Sequence, residues 1–385
     1  MKKILLASAI SALFAAPGAA FAQAKPPAAP TLDKVLEASG ITTSGYIDAG
    51  YTYANRNIEA GIQGGGTPPG SPLRVFDNQN NSFVLHQVGL TVAKQPKEGF
   101  GGLVNLTMGR DANVIQSTTG AGTTTPNATF DVTQAFAQWA GGPLTVIAGK
   151  FVTLSGTEVI ASPGNINVSR SILFGAIPFT HTGVRATWAA SDTISVIAGV
   201  NNGWDQLTDS NRQKTVELGV TLNPIKPLSI VVSGYSGDEI STVSLANGVR
   251  TSANVVASYA LTDAFSIGLE YLTFSQDKAL ANGSKAKYSG FAGYLSYMLT
   301  PKWRAALRAE SFDDHDGFHF NTVALTKPQT KYTEGTVTLA YLPADNFELR
   351  AEVREDKADQ AVFLGYDGNT SKTLMSVALQ GLYKF

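Results

Sequence analysis

The side chains of this chain that could do chemistry are charged ones set two residues apart. Arg304, Arg308 and Glu310 share one parity, as do Glu334, Thr336 and Thr338, and again Glu348, Arg350, Glu352 and Arg354. Arg185, Glu217 and Glu270 fall the same way within their own segments. A spacing of two places side chains on one face of a β-strand. Acids and bases alternating along such a face serve one of two ends. They pair with each other and stiffen a wall, or they line an aqueous bore whose charge sets ion preference. These residues suit both, and with Arg110 the arginines favour a weak anion preference.

Other chemistries find little support. The histidines are His86, His181, His315 and His319, and there is no cysteine. A hydrolase of membrane lipids needs a nucleophile beside a histidine with an orienting partner, on a lipid-facing wall. His181 is expected to point the other way, so no enzyme activity is expected. The run Asp313-Asp314-His315-Asp316-Gly317-Phe318-His319 has ligand-type side chains. It matches no ordered calcium-loop spacing, and neither a metal nor a cofactor is expected. Basic and acidic residues number 29 and 30, with no basic stripe, which argues against a nucleic-acid partner.

The elements that must position these charges are strands. In the last segment, Lys372 to Phe385, one face carries Met375, Val377, Leu379, Tyr383 and Phe385. The other carries Ser376, Ala378, Gln380 and Lys384, with Leu374 and Leu382 as exceptions. A strand that ends the chain on an aromatic must pair with the first strand or remain an open edge. From Ile41 onward, alternating segments are joined by connections that are short, then long, then short. The short ones carry turn chemistry, as at Gly141-Gly142-Pro143 and Thr300-Pro301-Lys302. The long ones run at about 54–81, 112–129, 152–177, 202–212, 237–249, 276–286, 313–330 and 356–371, giving about sixteen strands. The expected fold is all-β: a transmembrane antiparallel up-and-down β-barrel over 41–385, closed by its first and last strands.

Aromatics gather at the short turns and at the C-terminus: Phe100, Trp139, Trp188, Trp303, Tyr341, Phe347, Tyr383 and Phe385. In a barrel they form the girdle at the periplasmic interface, with outer-membrane lipid as their partner. The opposite parity then lines the lumen. The connection at 152–177 differs from the other long ones, keeping Val159, Ile160, Ile166, Ile172, Leu173 and Phe174 with Glu158 and Arg170 as its charges. Such a loop is expected to fold inward and narrow the bore.

The N-terminus gives the compartment. Lys2-Lys3, an apolar Ile4–Ala16 and Ala20-Phe21-Ala22 read as a cleaved signal peptide over 1–22. Residues 23–40 are expected to form a periplasmic tether with a short helix from Thr31 to Ser39. No cysteine offers a lipid anchor, and no apolar run is long enough for a membrane-spanning helix.

Four motifs carry a family resemblance: G-K-F at Gly149–Phe151, N-I-N-V-S-R at Asn165–Arg170, P-F-T-H-T-G-V-R at Pro178–Arg185 and N-G-W-D at Asn202–Asp205. In this order, with the terminal Phe385, the chain resembles the putative β-barrel porin-2 (OmpL-like) family of Gram-negative bacteria. The resemblance implies an outer-membrane porin, a water-filled channel for passive diffusion of small hydrophilic solutes and ions. It is similar more broadly to sixteen-stranded porins whose third loop folds inward. That implies a constriction built from Glu158, Asn165, Asn167 and Arg170, without the dense opposed charge clusters of general porins. The C-terminal strand would engage the barrel-assembly machinery, and a homotrimer would suit a general porin. The alternatives are a closed or narrow barrel acting as a binding or structural protein, and less favoured, a barrel lipase.

Overall fold

The computed structural model describes residues 36, 38–59, 74–119, 128–320 and 329–385. Its contacts separate Met1–Ser39 from Gly40–Phe385. In the first unit the described residues Leu36, Ala38 and Ser39 are helical. The signal peptide and most of the tether lie outside the described residues.

The second unit is a closed barrel of sixteen strands. In chain order these are β1 (Thr42–Ala54), β2 (Ser82–Lys94), β3 (Gly99–Met108), β4 (Phe130–Gly141), β5 (Leu144–Val152) and β6 (Thr180–Ala189). Then follow β7 (Ile194–Asn201), β8 (Thr215–Ile225), β9 (Leu228–Ile240), β10 (Asn247–Ala260) and β11 (Phe265–Gln276). The last are β12 (Ala286–Thr300), β13 (Trp303–Asp314), β14 (Thr330–Ala344), β15 (Phe347–Ala358) and β16 (Thr373–Lys384). Every strand pairs antiparallel with its sequence neighbours, and β1 closes on β16 from Tyr46↔Lys384 to Ala54↔Ser376. The final residue completes the seam: Phe385 donates its N–H to Gly45 O at 2.8 Å and accepts from Gly45 N at 2.7 Å. No backbone edge is left open, as hydrocarbon requires.

Period-2 alternation decides which way each side chain faces. On β14 the residues Tyr332, Glu334, Thr336, Thr338 and Ala340 are buried, while Val337 and Leu339 are exposed at 55% and 42%. The same holds on β16, where Leu379 is 60% exposed and Ala378 and Gln380 are buried. Apolar exposure continued around the whole cylinder exceeds any patch a soluble monomer carries, and it matches a hydrocarbon surround. Leu374 and Leu382, exceptions to the pattern in the sequence, face inward and are buried.

The strands run further than composition suggests. The connection expected over 237–249 spans only 241–246, because Gly237 to Ile240 continue in register with Asn247 to Arg250. Asp238 and Glu239 read as loop residues in the sequence. A strand end that leaves the hydrocarbon can carry such charges without penalty.

The lumen is not empty. A cluster of buried apolar side chains fills part of it, with Leu272, Phe274, Tyr288, Phe312 and Tyr332 from the wall. Long loops supply the rest: Val75 and Phe76 from the first, Ile172, Leu173 and Phe174 from the third, and Val362 and Phe363 from the eighth. Stacked rings hold it together, Phe274 on Tyr288 at 4.1 Å and Phe174 on Phe179 at 5.0 Å. Two short ladders order the loops, one between the second and the fourth and one within the eighth. Thr118–Thr119 runs parallel to Gln206–Thr208, and Phe363–Leu364 pairs with Thr370–Ser371.

Candidate functional site: the third loop and the charged wall

The third loop, 153–179, leaves β5 and crosses the barrel interior before returning as β6. Its first residues meet the wall of β9 to β11. Leu154 N donates to Tyr235 Oη at 2.8 Å, Gly156 N to Asn254 Oδ1 at 3.0 Å and Thr157 N to Glu270 Oε2 at 2.9 Å. A 3-10 turn at Ser162–Gly164 follows, where Ser162 N donates to Gln87 Oε1 at 3.3 Å. The β1–β2 register steps past His86 between Asp48 and Ala49. That bulge leaves His86 and Gln87 both buried.

The second half lies against the arginines and glutamates of β13 to β15. Arg308 is the hub. It donates to Glu158 Oε1 at 2.8 Å, to Ser169 O at 2.7 Å and through Nε to Glu334 Oε2 at 3.1 Å. Glu352 accepts Val168 N at 2.6 Å and Ser169 N at 2.9 Å. Glu310 accepts Ile172 N at 2.7 Å and Leu173 N at 3.2 Å, the start of a single helical turn, α1 (Ile172–Gly175). Arg350 donates to Asn167 O at 3.1 Å and Arg354 to Arg170 O at 2.5 Å. Arg308, Glu310, Arg350, Glu352 and Arg354 therefore satisfy loop backbone that would otherwise be unpaired and away from water, and charge-assisted bonds are the strong kind.

All the charges singled out in the sequence on β6, β8, β11 and β13 to β15 face the interior. Their neighbours differ from a bare bore. Arg185 pairs with Glu217 at 2.6 Å, Arg350 with Glu348 at 2.8 Å, Arg354 with Asp356 at 2.7 Å, and Arg304 with Glu348. Arg308, Glu310, Glu334, Arg350, Glu352 and Arg354 are buried beneath the third loop. Each of these arginines is paired with a carboxylate. The physical reason is the loop. Its carbonyls and amides needed partners inside the cylinder, and the wall charges supply them.

The loop residues expected at the constriction act within the same fabric. Asn165 clasps the loop onto itself through Val159 N and O, both at 2.9 Å, and Ala161 O at 2.8 Å. Asn167 donates to Thr338 Oγ1 at 2.7 Å. Arg170 is 1% exposed and donates to the carbonyls of Val159, Ile160 and Val168, with its guanidinium 5.2 Å from the Phe76 ring centroid. Glu158 accepts from Arg308 and, at 2.7 Å, from Ser171 N.

Further residues brace the loop and the wall around it. Asp205 accepts Phe179 N at 2.8 Å and Thr180 N at 2.9 Å. Burial pushes its carboxyl up to about 6, with the two amides acting against that rise. His181 stacks on Tyr235 with centroids 4.6 Å apart. Arg74, from the first loop, joins Asp77 at 2.5 Å and Asp356 at 2.9 Å. Gly149 and Gly183 face each other across β5 and β6. A Cβ on Gly149, at φ +138°, would sit 2.2 Å from Ala135 O, and one on Gly183 would sit 2.2 Å from Val200 O. Both glycines belong to the motifs quoted above, and so do Asp205, His181 and Arg170. The motifs spell out the anchorage of this loop.

The aromatics expected at the periplasmic girdle sit on the outer wall by the short turns. Phe100 lies opposite Trp139, Phe347 opposite Tyr383, and Trp303 opposite Tyr341 with rings 4.8 Å apart. In the Asp313–His319 stretch, Asp314 caps the turn by accepting the amides of Phe318 and Phe320 at 3.0 Å and of His319 at 3.2 Å. Among the described residues no group of three or more His, Cys, Asp or Glu could hold a metal ion.

Comparison with known proteins agrees with this architecture. A family model described as putative beta-barrel porin-2, OmpL-like, matches residues 40–382. Curated proteins yield no match. Among solved structures, the outer membrane channel DcaP of Acinetobacter baumannii is 13% identical with a TM-score of 0.61, covering 90% of this chain and 97% of that one. The anion-selective porin from Comamonas acidovorans is 12% identical with a TM-score of 0.56, covering 90% and 99%. The trimer form of OmpT from Vibrio cholerae is 11% identical with a TM-score of 0.55, covering 90% and 99%. At these identities the likeness is one of fold.

Proposed function

Because the chain belongs to the putative beta-barrel porin-2, OmpL-like family, we propose that it is a passive outer-membrane channel whose flow is limited by its third loop. The observation that carries this reading is the loop's path. A segment of the chain is held across the interior of a closed sixteen-strand cylinder by the charges of the wall. Solutes cross down their gradient, selected by the space beside the loop and by what lines it. Of the charges expected to line the bore, we assign Glu270, Arg308, Glu310, Glu334, Arg350, Glu352 and Arg354 to fastening the third loop, and Arg185, Glu217, Arg304 and Glu348 to the paired inner wall beside it. Export by a cleaved signal peptide over 1–22, recognition of the C-terminal strand by the assembly machinery and a homotrimer complete the proposal. The trimeric form of one similar barrel supports the last of these. Purified protein in a planar bilayer is expected to give discrete conductance steps; a membrane that stays silent over many insertions rejects the channel.

A lipid hydrolase is the one rival with an observation behind it. On the outer wall, His315 Nε2 lies 3.3 Å from Ser289 Oγ and its Nδ1 lies 3.4 Å from Asp313 Oδ1. Those contacts are long, and Ser289 is paired on both sides, with Thr273 and Asp313. Its neighbouring amides are spent in the ladder, so none is free to form an oxyanion hole, the largest catalytic contribution in acyl transfer. A fluorophosphonate probe is expected to leave Ser289 unlabelled. Labelling that disappears in Ser289→Ala and His315→Asn would establish the hydrolase instead.

A further inference from the structure

Between the third loop and the short-turn end of the barrel lies a cleft of about 340 Å³, within the size range of small-molecule sites. Its wall is built by β9 to β12, and the pleat turns Ser229, Ser258, Ser266 and Ser296 into it. These serines come as opposed pairs, Ser229↔Ser258 and Ser266↔Ser296. Gly268 sits between Ser258 and Tyr294 in the register, where it leaves the space that a side chain would take. A Cβ there would stand 3.3 Å from Tyr294 Cβ and 3.6 Å from Thr157 Cγ2. Thr157, Glu158, Asn165 and Ile166 form the roof.

The chemistry of this lining is nearly neutral. Glu158 is already engaged by Arg308 and Ser171 N, and Asn165 by the loop itself. Lys226 is the remaining charge, at the rim by the β8–β9 turn. Tyr294 is 4% exposed and its hydroxyl is sealed from the cleft, so the serines carry the polar lining. Hydroxyl groups both donate and accept, so a row of them complements a solute that carries hydroxyls of its own. A cation would lose hydration here without gaining an opposite charge, which is costly, and Lys226 at the rim would repel it.

We propose that this cleft is a binding subsite for a neutral polyhydroxylated solute of about monosaccharide size, on the periplasmic side of the third loop. The assignment of side rests on the channel reading; the binding chemistry does not. The probe is D-glucose, added to detergent-purified full-length protein and followed by saturation-transfer NMR, with D-glucosamine at pH 6 as the cationic counterpart. Glucose is expected to bind in the millimolar range and glucosamine at least ten-fold more weakly. Ser266→Leu combined with Ser296→Leu is expected to lower glucose binding ten-fold or more, with heat-modifiable gel mobility checking that the variant is folded. Absence of saturation transfer from glucose in the folded wild type overturns the subsite, as does glucosamine binding equal to glucose. Bilayer conductance is read separately. Steps without glucose binding reject the subsite alone, and glucose binding without steps keeps the subsite while rejecting the channel.

Discussion

Arg308 shows how much one side chain can be asked to hold. It is 2% exposed and bridges a loop acid, Glu158, a wall acid, Glu334, and a loop carbonyl, Ser169 O. Removing one member of a buried charge network leaves the others uncompensated, at a cost of about 3–5 kcal/mol. Arg308→Met is therefore expected to lower the unfolding temperature and to enlarge single-channel conductance by freeing the loop, both measured on the same preparation. A variant that loses stability with unchanged conductance would show that Arg308 holds the wall and not the loop. His319 gives a pH-dependent prediction. It lies between Tyr288, Phe312 and Phe320, with ring centroids 5.0, 5.4 and 4.4 Å away, and burial pushes its pKa down to about 4. The unfolded chain would protonate this group near the ordinary histidine value of about 6.5, so between those two pH values the unfolded state binds more protons. Stability is then expected to fall as pH drops from about 6.5 towards 4, and His319→Phe is expected to flatten that part of a thermal-melt profile. A wild-type melt with no slope in that window would show that His319 is accessible.

At the level of elements, the third loop is lashed by carboxylates from β11, β13 and β15 that each accept loop amides. Glu310→Gln with Glu352→Gln removes the charge and leaves one acceptor oxygen per side chain, setting an NH2 donor against the second loop amide of each pair, and hydrogen bonds to charged groups are worth about 1.5–3 kcal/mol against about 1 for neutral ones. The double variant is expected to fold, to show faster amide exchange across residues 168–173, and to conduct with larger fluctuations. Exchange identical to wild type would assign the loop's rigidity to its apolar contacts alone. The loop's inward path was legible in the sequence, since Ile172, Leu173 and Phe174 had no reason to sit in water. The role of the wall charges was half legible. Their parity gave their direction, but a single sequence does not tell water from a folded loop on the far side of a carboxylate. The apolar fill was not legible. Phe274, Phe312 and Tyr332 lie on the interior parity, and an aromatic there reads as a lapse in the pattern until the loops that pack on it are placed.

Taken as a whole, the molecule is turned inside out relative to a soluble fold. Its outer wall carries Val337, Val353, Val377 and Leu379, between 48% and 60% exposed, while arginines sit within. This was the most legible feature of all, because hydrocarbon penalises any exception: an outward arginine at mid-membrane costs about 2–4 kcal/mol. Leu379→Arg is expected to cut the yield of heat-modifiable barrel sharply, whereas Gln380→Arg, one residue on and facing inward, is tolerated far better. Equal yields from the two would contradict the assignment of faces.

The third loop stands early in the chain relative to its own anchors. Most of the groups that receive it, from Tyr235 to Arg354, belong to strands that follow it in the chain, and the seam between β1 and β16 runs from Tyr46↔Lys384 to Ala54↔Ser376. Until those strands stand in the wall, the loop's amides and carbonyls lack the partners that hold them. A barrel missing β13 to β15 would therefore leave this segment unfastened, open to cleavage by an added protease.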